Sequence, residues 1–166
     1  AAEAEQTEGR VDYDYDPADP VPTVGGATMM PGTCAPGALE QSRVESRDDV
    51  LVFTGEVLTE PLTVIGRVCA TLFASSSAVD TDFVVRLWRV TADGTSLTLT
   101  DGMVRARYRD SYRTPGAYTS AEPSLLEPGE VYEYAIDLWS TAVTFQPGER
   151  IRVQVASSNH PPWDRN

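Results

Sequence analysis

The stretch from Val79 to Arg109, VDTDFVVRLWRVTADGTSLTLTDGMVRARYR, constrains the fold more than any other. Three short runs of strand-forming residues, Phe83 to Val90, Ser96 to Thr100 and Met103 to Tyr108, are separated by Asp93-Gly94 and Asp101-Gly102. Asp-Gly tolerates the positive backbone angles of a tight hairpin, so two such pairs in quick succession predict a three-stranded meander. The third run alternates, with Val104, Ala106 and Tyr108 on one face and Arg105, Arg107 and Arg109 on the other. One face is expected to be buried and the other wet.

Strand signals recur on both sides. Val50 to Thr54 is short and continuously apolar, and Thr63 to Ala74 is long and β-branched, with Gly66 marking a bend or bulge. Pro128-Gly129 turns the chain into Val131 to Leu138, and Pro147-Gly148 turns it into Arg150 to Ala156; both following runs alternate apolar and polar residues. Pro sets the first central angle of a type II turn and Gly accepts the second. Between the meander and these strands, Asp110 to Ser124, with Tyr112 and Tyr118, reads as a packed surface excursion. Antiparallel strands with frequent turns and almost no helical periodicity predict an all-β fold, a β-sandwich or jelly roll.

At 166 residues the chain fits one domain and can bury about 70% of its unfolded surface. We divide it into an acidic lead over 1–19, an uncharged Pro/Gly/Met loop and approach to the sheet over 20–49, and a sandwich over 50–166. Its 13 basic residues are all Arg, against 25 carboxylates, and the net charge of −12 repels phosphate backbones and anionic lipid. Nucleic-acid and membrane partners are not expected, and no apolar run approaches the ~18 residues of a membrane span. The absence of Lys removes Schiff-base chemistry and a phosphate-loop lysine. The first residues, AAEAEQTEGR, are unlike a signal peptide and lack an initiator Met, so the chain reads as cut or processed. The compartment stays open, with the cytoplasm favoured.

Catalysis requires a nucleophile with a base in reach, and the chain is poor in both. No G-x-S-x-G elbow exists, Ser75 to Ser77 lack a glycine frame, and His160 is the lone histidine. No catalytic residue, metal or cofactor is expected. The alternating Asp12, Asp14, Asp16 and Asp19 resemble the start of a calcium loop, but its sixth position is Pro17 and its twelfth is Thr23, so the signature fails and a solvated acidic edge with Tyr13 and Tyr15 turned inward is the plainer reading. Cys34 and Cys69 lack metal-ligand spacing and read as two free thiols unless the fold brings them together.

Three other features have two readings each. The arginine stripe 105, 107 and 109 either clamps an anion or, as expected here, pairs with acids on the adjacent strand. Trp88 and Trp139 lie inside strand patterns and read as core, while Trp163 reads as the exposed tryptophan. The stretch from Pro20 to Leu39, PVPTVGGATMMPGTCAPGAL, has no charge and is too rich in Pro and Gly for a long helix or central strand. It either folds back over its own sandwich or offers a docking surface with adaptable Met side chains.

DTDFVVRLWRV and LTDGMVRARYR, with YDPADPVPTVGG and RDDVLVFTGEVL upstream and LLEPGEVYEYAIDLW, FQPGERIRVQV and SSNHPPWDRN downstream, resemble the C-terminal β domain of the X-Pro dipeptidyl-peptidase and cocaine esterase group of serine hydrolases. The likeness spans residues 12–166. It implies a galactose-binding-like jelly roll packed on an upstream α/β-hydrolase domain that carries a Ser-His-Asp triad. His160 does not match that triad's histidine. In the cocaine esterase branch the segment after the Gly-Gly of the loop reaches toward the active site, which implies a pocket-wall role for Met29 and Met30. The parent would cleave an ester, an amide or an X-Pro peptide. Subunit contacts in a homo-oligomer fit the same resemblance, as does a closing strand beyond residue 166, whose absence would leave a sheet edge open. The competing class is a free-standing carbohydrate- or ligand-binding jelly-roll module, which an exposed aromatic platform on one sheet face would favour.

Overall fold

The computed structural model describes residues 9–27, 32–114 and 116–164. Six strands form among them: β1 (Leu51–Thr54), β2 (Leu62–Ala74), β3 (Asp82–Val90), β4 (Ser96–Arg105), β5 (Tyr132–Phe145) and β6 (Arg150–Ala156). They pair antiparallel into one sheet ordered β1-β6-β3-β4 and a second made of β2 and β5. A single short helix, α1 (Ser42–Glu45), and one 3₁₀ segment (Ala106–Ser111) complete the described elements. The all-β sandwich expectation holds.

The two sheets close on Phe83, Val85, Leu87 and Val104 from one side and Tyr134, Ile136 and Leu138 from the other, with Val68, Ala70 and Leu72 beneath them. Each such fully buried side chain contributes about 1.5–3 kcal/mol relative to exposure. The Phe83 and Tyr134 rings meet at 4.7 Å, tilted by 51°. β3 is buried on both faces, because Val84, Trp88 and Val90 point away from that core. A second cluster of Val21, Val44, Val50, Trp88 and Ala156 covers this outer side, so the chain before β1 folds back over its own sandwich.

Asp93-Gly94 makes the expected turn: the Thr91 amide donates to Thr95 O at 2.9 Å and Gly94 has φ +91°. Asp101-Gly102 does not. It lies inside β4, whose residues pair continuously with β3 apart from a bulge opposite Leu87 and Trp88. The meander therefore has two strands here, and Gly102 serves another purpose: a Cβ on it would lie 2.1 Å from the Asp137 carbonyl oxygen. The glycine lets β4 and β5 approach closely, and beside it the Thr100 hydroxyl donates to Leu138 O. The third run also stops early, since β4 ends at Arg105 and Ala106 begins the 3₁₀ segment, leaving Tyr108 exposed.

β5 runs beyond Leu138 to Phe145, across a bulge. Arg67 faces Ser140 and Cys69 faces Asp137, so Val68 alone opposes Leu138 and Trp139. The extra residue reverses the inward parity of β5, from Tyr134, Ile136 and Leu138 to Val143 and Phe145. Trp139 is thereby turned out of the core, 67% exposed, against the expectation from its strand pattern.

Gly102→Ala should cost about 1–3 kcal/mol, because the new methyl meets backbone that has nowhere to move. Urea unfolding of the 166-residue chain measures this, and an unchanged midpoint would refute the close approach of β4 and β5.

Candidate functional site

The segment across the outer face of β3 is pinned at its entry by the C-terminal SSN motif. Val21 N donates to Ser158 Oγ at 2.8 Å, and backbone bonds link Thr23 N to His160 O at 2.8 Å and His160 N to Val21 O at 2.9 Å. Thr23 Oγ1 donates to Asn159 Oδ1, and Asn159 Nδ2 donates to Asp101 Oδ2 at 3.0 Å. Asp101 faces Arg86 across the β3–β4 ladder. Arg86 is fully buried, its guanidinium bonded to Gln154 Oε1 and to Ser158 O at 3.4 Å. Burial pushes its pKa down to about 10, while Asp101 and Asp49 act in the opposite direction, so it stays charged at neutral pH.

Beyond Val24 the loop closes on itself. Gly26 and Gly37 exchange two backbone bonds, of 2.8 and 2.9 Å. Gly25, at φ +71°, sits so close to Gly37 O that a Cβ would lie 2.4 Å from it. Gln41, almost fully buried, spans the root: its Nε2 donates to both Val24 O and Leu39 O at 2.8 Å. The exit strand bridges Glu40 to Leu97 and so covers part of the β4 edge. This root is the loop that carries the two candidate pocket-wall residues; Met29 and Met30 themselves lie outside the described residues.

A second feature opens between the two sheets' edges. A groove of about 660 Å³ collects Trp139, Trp163, Tyr108, Tyr112 and Tyr118 around Arg67. Tyr112 and Tyr118 rings stand 5.4 Å apart, and Arg67 is paired with Asp137 and capped by Gly116. Trp139 holds φ +65°, a left-handed conformation that costs a non-glycine residue about 1–2 kcal/mol. Its amide is returned to Asp137 Oδ1 at 2.9 Å.

Among the described residues neither feature assembles a nucleophile with a base. His160 holds the loop entry through its backbone, and Ser76 Oγ accepts the Ala78 amide in a turn. Asp12 pairs with Arg10, Asp16 Oδ1 accepts the Ala18 amide, and Asp19 pairs with Arg47, so these carboxylates serve the chain's own folding. Cys34 is buried and Cys69 exposed, and both are free thiols. The arginine stripe divides as its surroundings allow: Arg105 pairs bidentately with Asp82 of β3, and Arg107 with Asp80 just before it. Among the described residues Arg109 finds no carboxylate; it donates to Ala106 O and Ser124 O and lies 4.3 Å over the Tyr132 ring.

The family of X-Pro dipeptidyl-peptidase C-terminal non-catalytic domains matches residues 2–166. This chain belongs to that family. The chain is 50% identical to the cocaine esterase of a Rhodococcus strain, over 96% of its own length and 26% of the esterase. It is 34% identical to a putative serine esterase of Mycobacterium bovis over 66% of its length and 19% of that protein. In structure it resembles an aminopeptidase from a Thaumarchaeota archaeon, with TM-score 0.77 and 38% identity over 93% of this chain and 26% of that one. An α-amino acid ester hydrolase superposes with TM-score 0.68 and 30% identity over the same shares. The chain thus spans between 19% and 26% of these relatives, and it is a non-catalytic domain of the X-Pro dipeptidyl-peptidase C-terminal type.

Sequence reasoning found the loop but missed its clamp. A glutamine just after an uncharged loop carries no signal until Val24 O and Leu39 O are seen to face it. Gln41→Ala strips both carbonyls of their buried partner and should cost about 1–3 kcal/mol. Hydrogen exchange should accelerate most at the Gly26 and Gly37 amides; unchanged protection there would show that the clamp does not hold the root.

Proposed function

We propose that this domain packs against the catalytic domain of a serine hydrolase acting on esters or X-Pro peptides, and lines part of its pocket through Met29 and Met30. The observation that carries the reading is the double clamp at the loop root, Gly26–Gly37 with Gln41. A loop that merely covered its own sheet would not need its two ends locked together beyond Val24, its last contact with the outer cluster on the entry side. Locking the root fixes where the loop leaves Gly26 and returns at Gly37, which is what a specificity wall would require. The relatives named as esterases and as an aminopeptidase support an acyl-transfer reaction in the parent, with water as acceptor.

The chemistry would be divided. The upstream portion would supply nucleophile, base and oxyanion hole; this domain would supply shape. Methionine is unbranched and polarizable, so a wall of two would accommodate acyl groups of varied form instead of selecting a single one. Two thiols left unpaired suit a reducing compartment such as the cytoplasm. No helix among the described residues is long and apolar enough to cross a membrane.

Hydrolysis of p-nitrophenyl esters of increasing acyl length tests the reading. The 166-residue chain should be silent and the full-length protein active. Met29→Ala with Met30→Ala in the full-length protein should shift the ratio of long- to short-chain kcat/KM by about tenfold, the scale of a methylene or two gained in a pocket. A double variant with the parent's acyl preference would overturn the pocket-wall role, and activity in the chain alone would overturn the division of labour.

A further inference from the structure

The two outer faces of the sandwich are finished differently. Over β3 and β6 the chain's own residues before β1 form a second core. Over β2 and β5 the described residues provide no such cover: Ile65, Phe73 and Trp139 are 78%, 67% and 67% exposed. Trp139 is held outward by a bulge in a strained conformation, and its indole borders the groove that also gathers Tyr108, Tyr112, Tyr118 and Trp163. Exposed apolar area of this kind, centred on Trp and Tyr, is the usual composition of the energetic centre of an interface. Strain at a position where the side chain does nothing for the domain's own core points the same way.

The charges of the groove limit what it takes. Among the described residues both cations of the groove are occupied, Arg67 by Asp137 and Arg105 by Asp82, so neither is free to recognise an anion. The occupant must offer apolar surface with a polar rim. A second copy of this chain would bring another net charge of −12 to the same face, which opposes association. The chain covers 26% of the cocaine esterase and of the aminopeptidase, so nearly three quarters of each lies outside the part it matches.

We infer that the Trp139 groove, with the outer face of β2 and β5, is the seat of the catalytic portion of the same hydrolase. This rests on the functional reading above and assigns the contact face, separate from the loop that would carry the pocket wall. Trp139 is the anchor. Its bulge places the indole above the sheet plane, where it enters the partner, and the Tyr112–Tyr118 pair forms one wall of the joint.

The test compares the full-length protein with the 166-residue chain, each carrying Trp139→Asn and Tyr118→Ala. Asparagine accepts the left-handed conformation, so the bulge survives while the ring is lost. The chain alone should keep its midpoint or gain slightly. The full-length protein should lose several degrees or split its single unfolding transition into two, and should become cleavable by protease between the domains at a rate at least tenfold higher. Equal changes in both proteins, or none in either, would overturn the assignment. So would a drop from dimer to monomer with unfolding still cooperative, which would make the occupant a second copy. The acyl-length preference separates the two proposals: groove variants should lower stability without changing it, and the Met29 and Met30 variants should change it without splitting the transition.

Discussion

Strand β3 carries Phe83, Val85 and Leu87 toward one side and Val84, Trp88 and Val90 toward the other, and neither side can be left to water. The first set is met by β5 and β2, which makes the sandwich. The second set has to be met by something else, and Val21, Val44 and Val50 meet it. The path of the chain before β1 is therefore dictated by a strand that comes later in sequence. Ion pairs then fix that path laterally, with Arg47 held between Asp19 and Asp49 and Arg152 reaching Glu45 of α1. These pairs are partly shielded, but their role is registry more than stability. The buried Arg86, with Gln154, Asp101 and Asn159 about it, ties the same covering segment to the centre of the sheet.

Much of this was legible in the sequence. Alternation in β6 and in the first half of β5 gave both the strands and their faces, and the Pro-Gly turns fall where expected, with φ +85° at Gly129 and +91° at Gly148. The failures share one cause: period-two patterning assumes an unbroken register. At Leu138-Trp139 one residue is inserted, so Trp139 reads as core and is exposed, while the strand continues with its parity reversed. Asp101-Gly102 fails for a related reason. A glycine chosen for the close approach of another backbone is indistinguishable in sequence from one chosen for a turn, and only Asp137 O across the interface tells them apart.

The candidate site was legible by subtraction. A loop without charges, too broken for regular structure and too apolar for solvent, had to be covered by or to cover something. Its first part does the covering: Val21 and Val24 sit against the sheet, and beyond them the root is locked by backbone bonds and by Gln41. The clamp itself left no mark in the sequence because its acceptors are main-chain carbonyls, which every residue has.

Gly26 and Gly37 exchange their hydrogen bonds with each other through main-chain atoms alone. The closure itself therefore does not depend on which side chains the loop carries, as a socket is indifferent to the lamp it holds. Change in the side chains of this short stretch and retention of the two-bond closure are thus separable demands on the chain.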